Sequence, residues 1–450
     1  MRFVIIGGGP AGNTAATVAA SLGADVTLVE RDIIGGAAHL WDCIPSKAMI
    51  GTGNELTELA HARVMGLDAT GRLDVPALRD RVTNMERTLR DGVTSLLESQ
   101  GVRLVRGTAR LTGAYTIAAE TDEGTVELEA DAILLSTGSR PRVPEWAAID
   151  GERVLTTRQA YPPPEIPEHL VVIGSGVTGV EFTHMFSALG SQVSLIVSRQ
   201  QVLPAKDPEV AAVLEAEFLR RGVKLLKGAR ATSIGREDDK VFIACDDGRA
   251  VDGSHALLCI GSVPNVEGLG LEAAGVEVDD RGFVPGNRHC QTNLPHIYSA
   301  GDLSGRLPLS SVAAMQGRKI GEHVMGLTAR AHRHLDYDKA SQAIFTDPEI
   351  AEVGVAEAEA FAAGRKLRVT KVPFSANPKA LINGDTRGFV KILSDPATGV
   401  VLGGAIVGRN AAELISVIAV AVTNHLKVAD VVDSLLVHPA LAESLADAAY

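Results

Sequence analysis

One strand–turn–helix–strand pattern occurs twice in this 450-residue chain, and that repetition constrains the fold more than any other feature. In the first copy an apolar run at 2–6 leads into Gly7-Gly8-Gly9-Pro10-Ala11-Gly12, an alanine-rich helix to Leu22, and a second strand at 25–30 ending on Glu30. Gly7 makes the tight turn, Gly9 lets backbone approach a pyrophosphate, Gly12 permits close helix–strand packing, and Glu30 is placed to accept from a ribose hydroxyl. The candidate cofactor-binding residues of this copy are Gly7, Gly9, Pro10, Ala11, Gly12, Glu30 and Arg31. A stiff run, Pro162-Pro163-Pro164 with Pro167, reads as a hinge. The pattern then returns: a strand at 169–173, Gly174-Ser175-Gly176-Val177-Thr178-Gly179, an apolar helix to Leu189 and a strand at 192–197. A lone glycine turn is equally at home as a structural bend. Two complete units far apart imply two bound dinucleotides, which for an oxidoreductase are a flavin and a nicotinamide. The second copy ends in Val197-Ser198-Arg199 instead of an acid. Without a carboxylate for the ribose 2′-hydroxyl, Ser198 and Arg199 suit a 2′-phosphate; Arg199 as a solvated loop residue is the other reading.

Composition narrows the partners. A formal charge of −12 argues against nucleic acid, whose phosphates need clustered Lys and Arg. No apolar run reaches the ~18 residues of a membrane span; the longest, 414–422, is broken by Ser416. The four cysteines, Cys43, Cys245, Cys259 and Cys290, have no metal-like or CxxC spacing, so no metal is expected. With no leader-like segment ahead of Phe3, a cytoplasmic enzyme is the expectation.

Between the two copies lies Gly35-Gly36-Ala37-Ala38-His39-Leu40-Trp41-Asp42-Cys43-Ile44-Pro45-Ser46-Lys47, which turns through two glycines and enters a helix with Pro45 in its first turn. A thiol at such a helix start, four residues before Lys47, is where dipole and charge stabilise a thiolate. Residues 52–99 read as mostly helical, with Val82, Met85, Leu89, Val93, Leu96 and Leu97 at helical spacing. Strands are expected at 102–105, 108–111, 116–119 and 125–128, then a buried strand closing in Thr137-Gly138. Further strands at 223–226, 240–244 and 256–259 precede the turn at Gly261. The run 292–302 ends in Ala300-Gly301-Asp302, which places a carboxylate to bind a polyol or, on the plainer reading, to cap a turn. A helix at 312–325 follows. From about residue 334 the chain reads as an α+β module, with strands at 367–373, 388–393 and 400–407 and a helix at 411–424. Near its end His438 precedes Pro439, with Glu443 five residues on; such a pair can raise imidazole basicity, although a His-Pro at a helix start is commonly structural.

Taken together these motifs, in this order over essentially the whole chain, resemble the flavoprotein disulfide reductases related to lipoamide dehydrogenase and glutathione reductase. The resemblance implies an α/β chain: two Rossmann-like domains for FAD and NAD(P), and a C-terminal α+β dimerisation domain. The expected divisions are 1–147 (FAD), 148–260 (NAD(P)), 261–333 (FAD and central segment) and 334–450 (interface). Residue by residue, Gly7, Gly9, Gly12 and Glu30 match the FAD adenosine site, Gly36 and Ala37 its redox segment, Thr137 and Gly138 the flavin turn, and Gly301 with Asp302 the ribityl contact. Gly174, Gly176 and Gly179 match the nicotinamide turn, with Ser198, Arg199 and Gly261 as further cofactor contacts. Lys47 matches the lysine beside the flavin and Glu181 its partner near the nicotinamide. His438 and Glu443 match an acid–base pair acting across a homodimer, although Ala440 and Ala442 replace that motif's Thr and Ser.

The main departure is Ala38. The family's segment carries two cysteines, and here only the second, Cys43, remains. A lone thiol cannot form the intramolecular disulfide that relays electrons to a disulfide substrate. The segment resembles a branch that has lost the first cysteine and reduces quinones with NADPH or NADH. The expected activity is therefore NAD(P)H oxidation through FAD to a quinone-type acceptor, with Cys43, Lys47, Glu181, His438 and Glu443 as candidate catalytic residues. A dihydrolipoamide dehydrogenase-like enzyme, a soluble transhydrogenase and a non-catalytic redox-sensing flavoprotein are the alternatives.

Overall fold

The structure is a computed structural model and describes residues 1–161, 163–327 and 335–450. The first proline of the expected hinge and the expected division at 333/334 therefore lie outside the described residues. The chain forms two compact units, each assembled from three segments. One comprises Met1–Ser46, Arg79–Arg142 and Gly261–Tyr337; the other comprises Lys47–Leu78, Val143–Ile260 and Asp338–Tyr450.

The first unit is built on a five-stranded sheet in the order Ile297–Ser299, Ala132–Leu135, Arg2–Ile6, Asp25–Glu30, Arg103–Arg106, every neighbouring pair parallel. A parallel sheet is covered on both faces, so its strands are near-continuous apolar runs. Phe3, Ile5, Val26, Leu28 and Leu134 pack on one face with Ala11, Ala15, Ala19 and Ile320 of the helices Pro10–Ser21 and Ser310–Val324. Val4, Ile6, Val29, Ile133 and Leu135 pack on the other with Leu111, Ile117 and Leu128 of a three-stranded antiparallel sheet, Thr108–Gly113, Thr116–Thr121, Gly124–Glu129. The two helices cross closely at Gly317, where a Cβ would lie 2.1 Å from the Ala11 carbonyl oxygen.

The second unit repeats that plan. Its parallel sheet runs Lys224–Lys227, Gln192–Val197, His169–Ile173, His255–Leu258, Val154–Thr156. A three-stranded antiparallel sheet, Ala231–Glu237, Lys240–Cys245, Ala250–Gly253, lies beside it. The same unit holds a five-stranded antiparallel sheet, Gln342–Ile344, Glu349–Gly354, Val401–Gly408, Phe389–Ser394, Arg368–Pro373, packed on the helix Ala411–Asn424. Lys391, almost wholly buried in that sheet, places its ammonium 2.7, 2.5 and 2.7 Å from Asp207, Glu209 and Glu357, so a cation already occupies this acidic trio.

The expectation of a mostly helical stretch at 52–99 holds, with one break at 66–74. Two helices occupy the region, Ile44–His61 and Val75–Ser99. The first passes into a 3₁₀ turn, Ala62–Met65, that ends on Gly66 in the left-handed conformation at φ 77°, a backbone state that terminates helices. Of the residues at helical spacing, Val82 and Leu97 are buried, but Leu89 and Leu96 are 36% and 47% exposed, since this long helix covers the core with a narrow stripe. The stretch Ala38–Asp42 forms a single wide π turn, which the sequence pattern does not announce.

Candidate functional site

In the first unit the glycine turn is shaped by what a side chain would strike. A Cβ on Gly7, which has φ 106°, would lie 2.4 Å from the Ser136 carbonyl oxygen, and one on Gly12 would lie 2.0 Å from the Gly7 oxygen. At Gly9 a Cβ would meet nothing within 4 Å, so the backbone there is open to a ligand. Pro10 and Ala11 begin the helix behind it, with its N-terminus toward the turn. Glu30 ends the second strand as expected. Its Oε2 accepts the Gly8 N–H at 2.6 Å and its Oε1 the Asp32 N–H at 2.7 Å, while burial raises its pKa above the usual range. The exposed Arg31 leans on Asp32 at 3.5 Å. Two closed walls, an open middle and a terminal acid fit a dinucleotide.

The redox segment is stitched to this turn. The Gly35 N–H donates to the Gly8 oxygen at 2.8 Å, and a Cβ on Gly36 would lie 3.0 Å from the Gly9 Cα. Ala37 precedes the π turn, which closes when the Cys43 N–H donates to the Ala38 oxygen at 3.3 Å. Cys43 Sγ lies 3.1 Å from Ser310 Oγ at the start of the Ser310–Val324 helix. All four cysteines are free, and Cys43 is the one that is not buried. Burial pushes Cys290 up to about 11 and raises Cys245 and Cys259 as well, which leaves these three inert as thiolates.

Thr137 and Gly138 form a turn clasped by Asn265, whose side chain donates to the Thr137 oxygen at 2.9 Å while its N–H donates to Gly138 at 3.0 Å. Gly261 accepts from the Arg142 N–H. Gly301, left-handed at φ 67°, donates to Gln316 Oε1 at 2.7 Å, and the neighbouring Asp302 accepts from Ser139 Oγ at 2.6 Å. The clasping roles of Asn265 and Gln316 lie outside any motif; both contacts join segments brought together only by the fold.

In the second unit the nicotinamide-type turn repeats the first. A Cβ on Gly174 would lie 2.3 Å from the Cys259 oxygen, one on Gly179 would lie 1.8 Å from the Gly174 oxygen, and Gly176 is open. Ser198 and Arg199 follow the second strand and are exposed, where the first unit has its acid. Glu181, one turn into the Val177–Ala188 helix, is buried and receives the Lys47 ammonium at 2.9 Å on Oε2 and the Phe345 N–H at 3.0 Å on Oε1. Lys47 also lies 5.1 Å from the centre of the Phe345 ring. The Phe345 contact is one that no sequence pattern indicated.

At the end of the chain His438 Nδ1 lies 2.6 Å from Glu443 Oε1. Glu443 Oε2 accepts the Ala440 N–H at 2.8 Å, and that bond, with His438, holds the carboxyl below its usual range. The imidazole side chain is 68% exposed. An oriented but open imidazole can exchange a proton with something outside its own unit.

Comparison with known proteins agrees with this geometry. Residues 1–317 match the family model for pyridine nucleotide-disulphide oxidoreductases, and residues 340–449 match that family's dimerisation domain. The chain is 41% identical to an NAD(P)H dehydrogenase (quinone) of Mycobacterium tuberculosis, covering all of this chain and 93% of that protein. It is 34% identical to a dihydrolipoyl dehydrogenase of Chlamydia muridarum, covering 99% and 95%. Among solved structures it superposes on LpdA of Mycobacterium tuberculosis with a TM-score of 0.95 at 41% identity, covering 100% and 99%. Among the described residues no helix is long and apolar enough to cross a membrane.

Proposed function

The chain belongs to the pyridine nucleotide-disulphide oxidoreductases, which use FAD and NAD(P)H, and from that premise we propose that it oxidises NAD(P)H and reduces a quinone-type acceptor without a dithiol relay. The observation that carries this reading is the methyl group of Ala38 beside an otherwise intact frame: Cys43 has no sulfur partner, and the other thiols are buried. When bound, FAD supplies the capacity to take a hydride and to release electrons to an acceptor, chemistry that no side chain offers. Gly7, Gly9, Pro10, Ala11, Gly12, Glu30, Gly36, Thr137, Gly138, Gly301 and Asp302 would hold it in the first unit.

The residues of the chain have simpler tasks. Gly174, Gly176 and Gly179 seat the nicotinamide dinucleotide, and Ser198 with Arg199 receives a 2′-phosphate, which favours NADPH. Lys47 and Glu181 flank the reacting rings, where a half-buried ion pair fixes orientation. Cys43, with Ser310 against its sulfur, lines the acceptor side. His438, oriented by Glu443, returns a proton to the reduced acceptor at the site of the other copy in a homodimer. Four free thiols suit a reducing compartment, in keeping with a cytoplasmic setting.

The intact His438–Glu443 pair favours a second reading, dihydrolipoamide dehydrogenase-like chemistry with an external thiol. Steady-state assays with menadione, oxidised lipoamide, glutathione disulfide and a thio-NAD analogue, each with NADPH and NADH, separate these. Turnover on menadione with NADPH ahead of NADH is expected. Turnover on lipoamide with none on menadione overturns the proposal.

A further inference from the structure

Glu181 and Lys47 are two members of a longer circuit. His184 lies three residues after Glu181 on the Val177–Ala188 helix and is completely buried. Its Nε2 is 2.8 Å from Asn54 Oδ1, and Asn54 lies two turns beyond Lys47 on the Ile44–His61 helix. The two helices are thus pinned at two points, Lys47–Glu181 and Asn54–His184. Gly53 lets them close between, since a Cβ there would be 3.0 Å from the Ala188 Cβ.

The other edge of the ring leads back to Glu181. His184 Nδ1 is 3.0 Å from Arg221 Nη1, and the Arg221 guanidinium is bonded to both the backbone oxygen and the carboxylate of Asp347. Arg387 grips the same carboxylate at 2.6 Å. Two residues before Asp347, the Phe345 N–H donates to Glu181 Oε1. The path Lys47, Asn54, His184, Arg221, Asp347, Phe345, Glu181 therefore closes on itself.

Imidazole is suited to the central place. The site needs an acceptor toward Arg221 and a donor toward Asn54, and a neutral ring with its proton on Nε2 supplies both. Burial keeps the ring neutral, with a pKa lowered to about 3, so no second positive charge is set against Arg221. Aliphatic residues would fill the space but take the imidazole partner from Arg221 Nη1 and Asn54 Oδ1.

We propose that His184 is a positioning residue for hydride transfer, holding Lys47 through Asn54 and Glu181 through Arg221, Asp347 and the Phe345 N–H. That role presupposes the place of Lys47 and Glu181 beside the reacting rings.

The test uses the flavin-loaded full chain carrying His184→Leu, Asn54→Ala or His184→Gln, each alone and with Glu181→Gln. Two quantities are read. One is the rate at which acetic anhydride acylates Lys47, measured by peptide mass mapping against the exposed Lys240. The other is the limiting rate of flavin bleaching by NADPH in anaerobic stopped flow. His184→Leu and Asn54→Ala should speed Lys47 acylation several-fold and slow bleaching by about tenfold. In the Glu181→Gln background the same changes should slow bleaching by less than about twofold. His184→Gln, which keeps one donor and one acceptor, should recover most of the rate. Asn54 is half-buried, so its variant carries the test if His184→Leu loses its flavin. Unchanged acylation, or a full additive loss in the Glu181→Gln background, overturns the role of His184. A Glu181→Gln chain bleached at the parental rate overturns instead the reading of Lys47 and Glu181.

Discussion

At position 38 a methyl group stands one π turn away from the Cys43 thiol. The Cys43 N–H closes on the Ala38 oxygen at 3.3 Å, so the backbone of the turn is already ordered around the missing sulfur. Ala38→Cys is therefore expected to form a disulfide with Cys43 under oxidising conditions, removing both from the thiol titration, and to raise oxidised-lipoamide turnover by at least about tenfold. A variant whose thiols all stay free under those conditions would show that the turn has lost the geometry as well as the sulfur. At this scale the sequence was most legible where chemistry demands a residue type at a fixed spacing: Gly7, Gly12, Glu30, Gly174 and Gly179 all sit where their motif puts them. It was least legible for Phe345, Asn54 and His184. Their contacts span 164 residues to Glu181 in one case and 130 between His184 and Asn54 in the other, and no local pattern encodes such meetings.

The two glycine turns are copies whose failures should differ. A Cβ at Gly12 would press into the Gly7 oxygen at 2.0 Å, and one at Gly179 into the Gly174 oxygen at 1.8 Å; overpacking of this kind costs roughly 1–3 kcal/mol. Gly12→Ala should yield protein poor in FAD. Gly179→Ala should keep its yellow colour but need at least about tenfold more NADPH for half-maximal flavin reduction. Absorbance at the flavin band with an anaerobic NADPH titration reads both, and equal FAD loss in the two variants would contradict the assignment of the turns. Among the elements, the helix Ala411–Asn424 and the apolar parallel strands other than the three-residue Val154–Thr156 were readable because each buries a clear face. The strands Ala231–Glu237 and Ala250–Gly253 went unread because they are largely exposed and carry little hydrophobic periodicity. Glu349–Gly354 went unread because its apolar residues, Ile350, Ala351 and Val353, do not alternate with polar ones.

At the scale of the whole molecule, the charges within the second unit set its pH limits. Burial pushes the Glu217 carboxyl up, but Arg220 and Arg221 outweigh it and hold the group down at about 2. A carboxylate with a folded pKa below its usual 4.5 contributes fully above that value and loses its contribution as pH falls toward 2. Glu217→Gln should therefore lower urea-unfolding stability by about 3 kcal/mol at neutral pH. The gap to the parent chain should narrow steadily below pH 4.5. A gap that stays constant on acidification would contradict the ion-pair account. The two parallel-sheet units were visible in the repeated motif, and the C-terminal antiparallel sheet with its helix in the α+β pattern from about residue 334. The pairing of Lys47–Leu78 with the second unit was not, because the helix Ile44–His61 passes from one unit into the other without any break in its pattern.

On the proposed function, electrons leave this protein from the flavin itself. Sequential-mixing stopped flow tests it most directly: the flavin is first bleached anaerobically with one equivalent of NADPH, then mixed with either menadione or oxidised lipoamide. Return of the flavin absorbance within the turnover time with menadione, and no return with lipoamide, is the predicted result. Rapid return with lipoamide and none with menadione would contradict it.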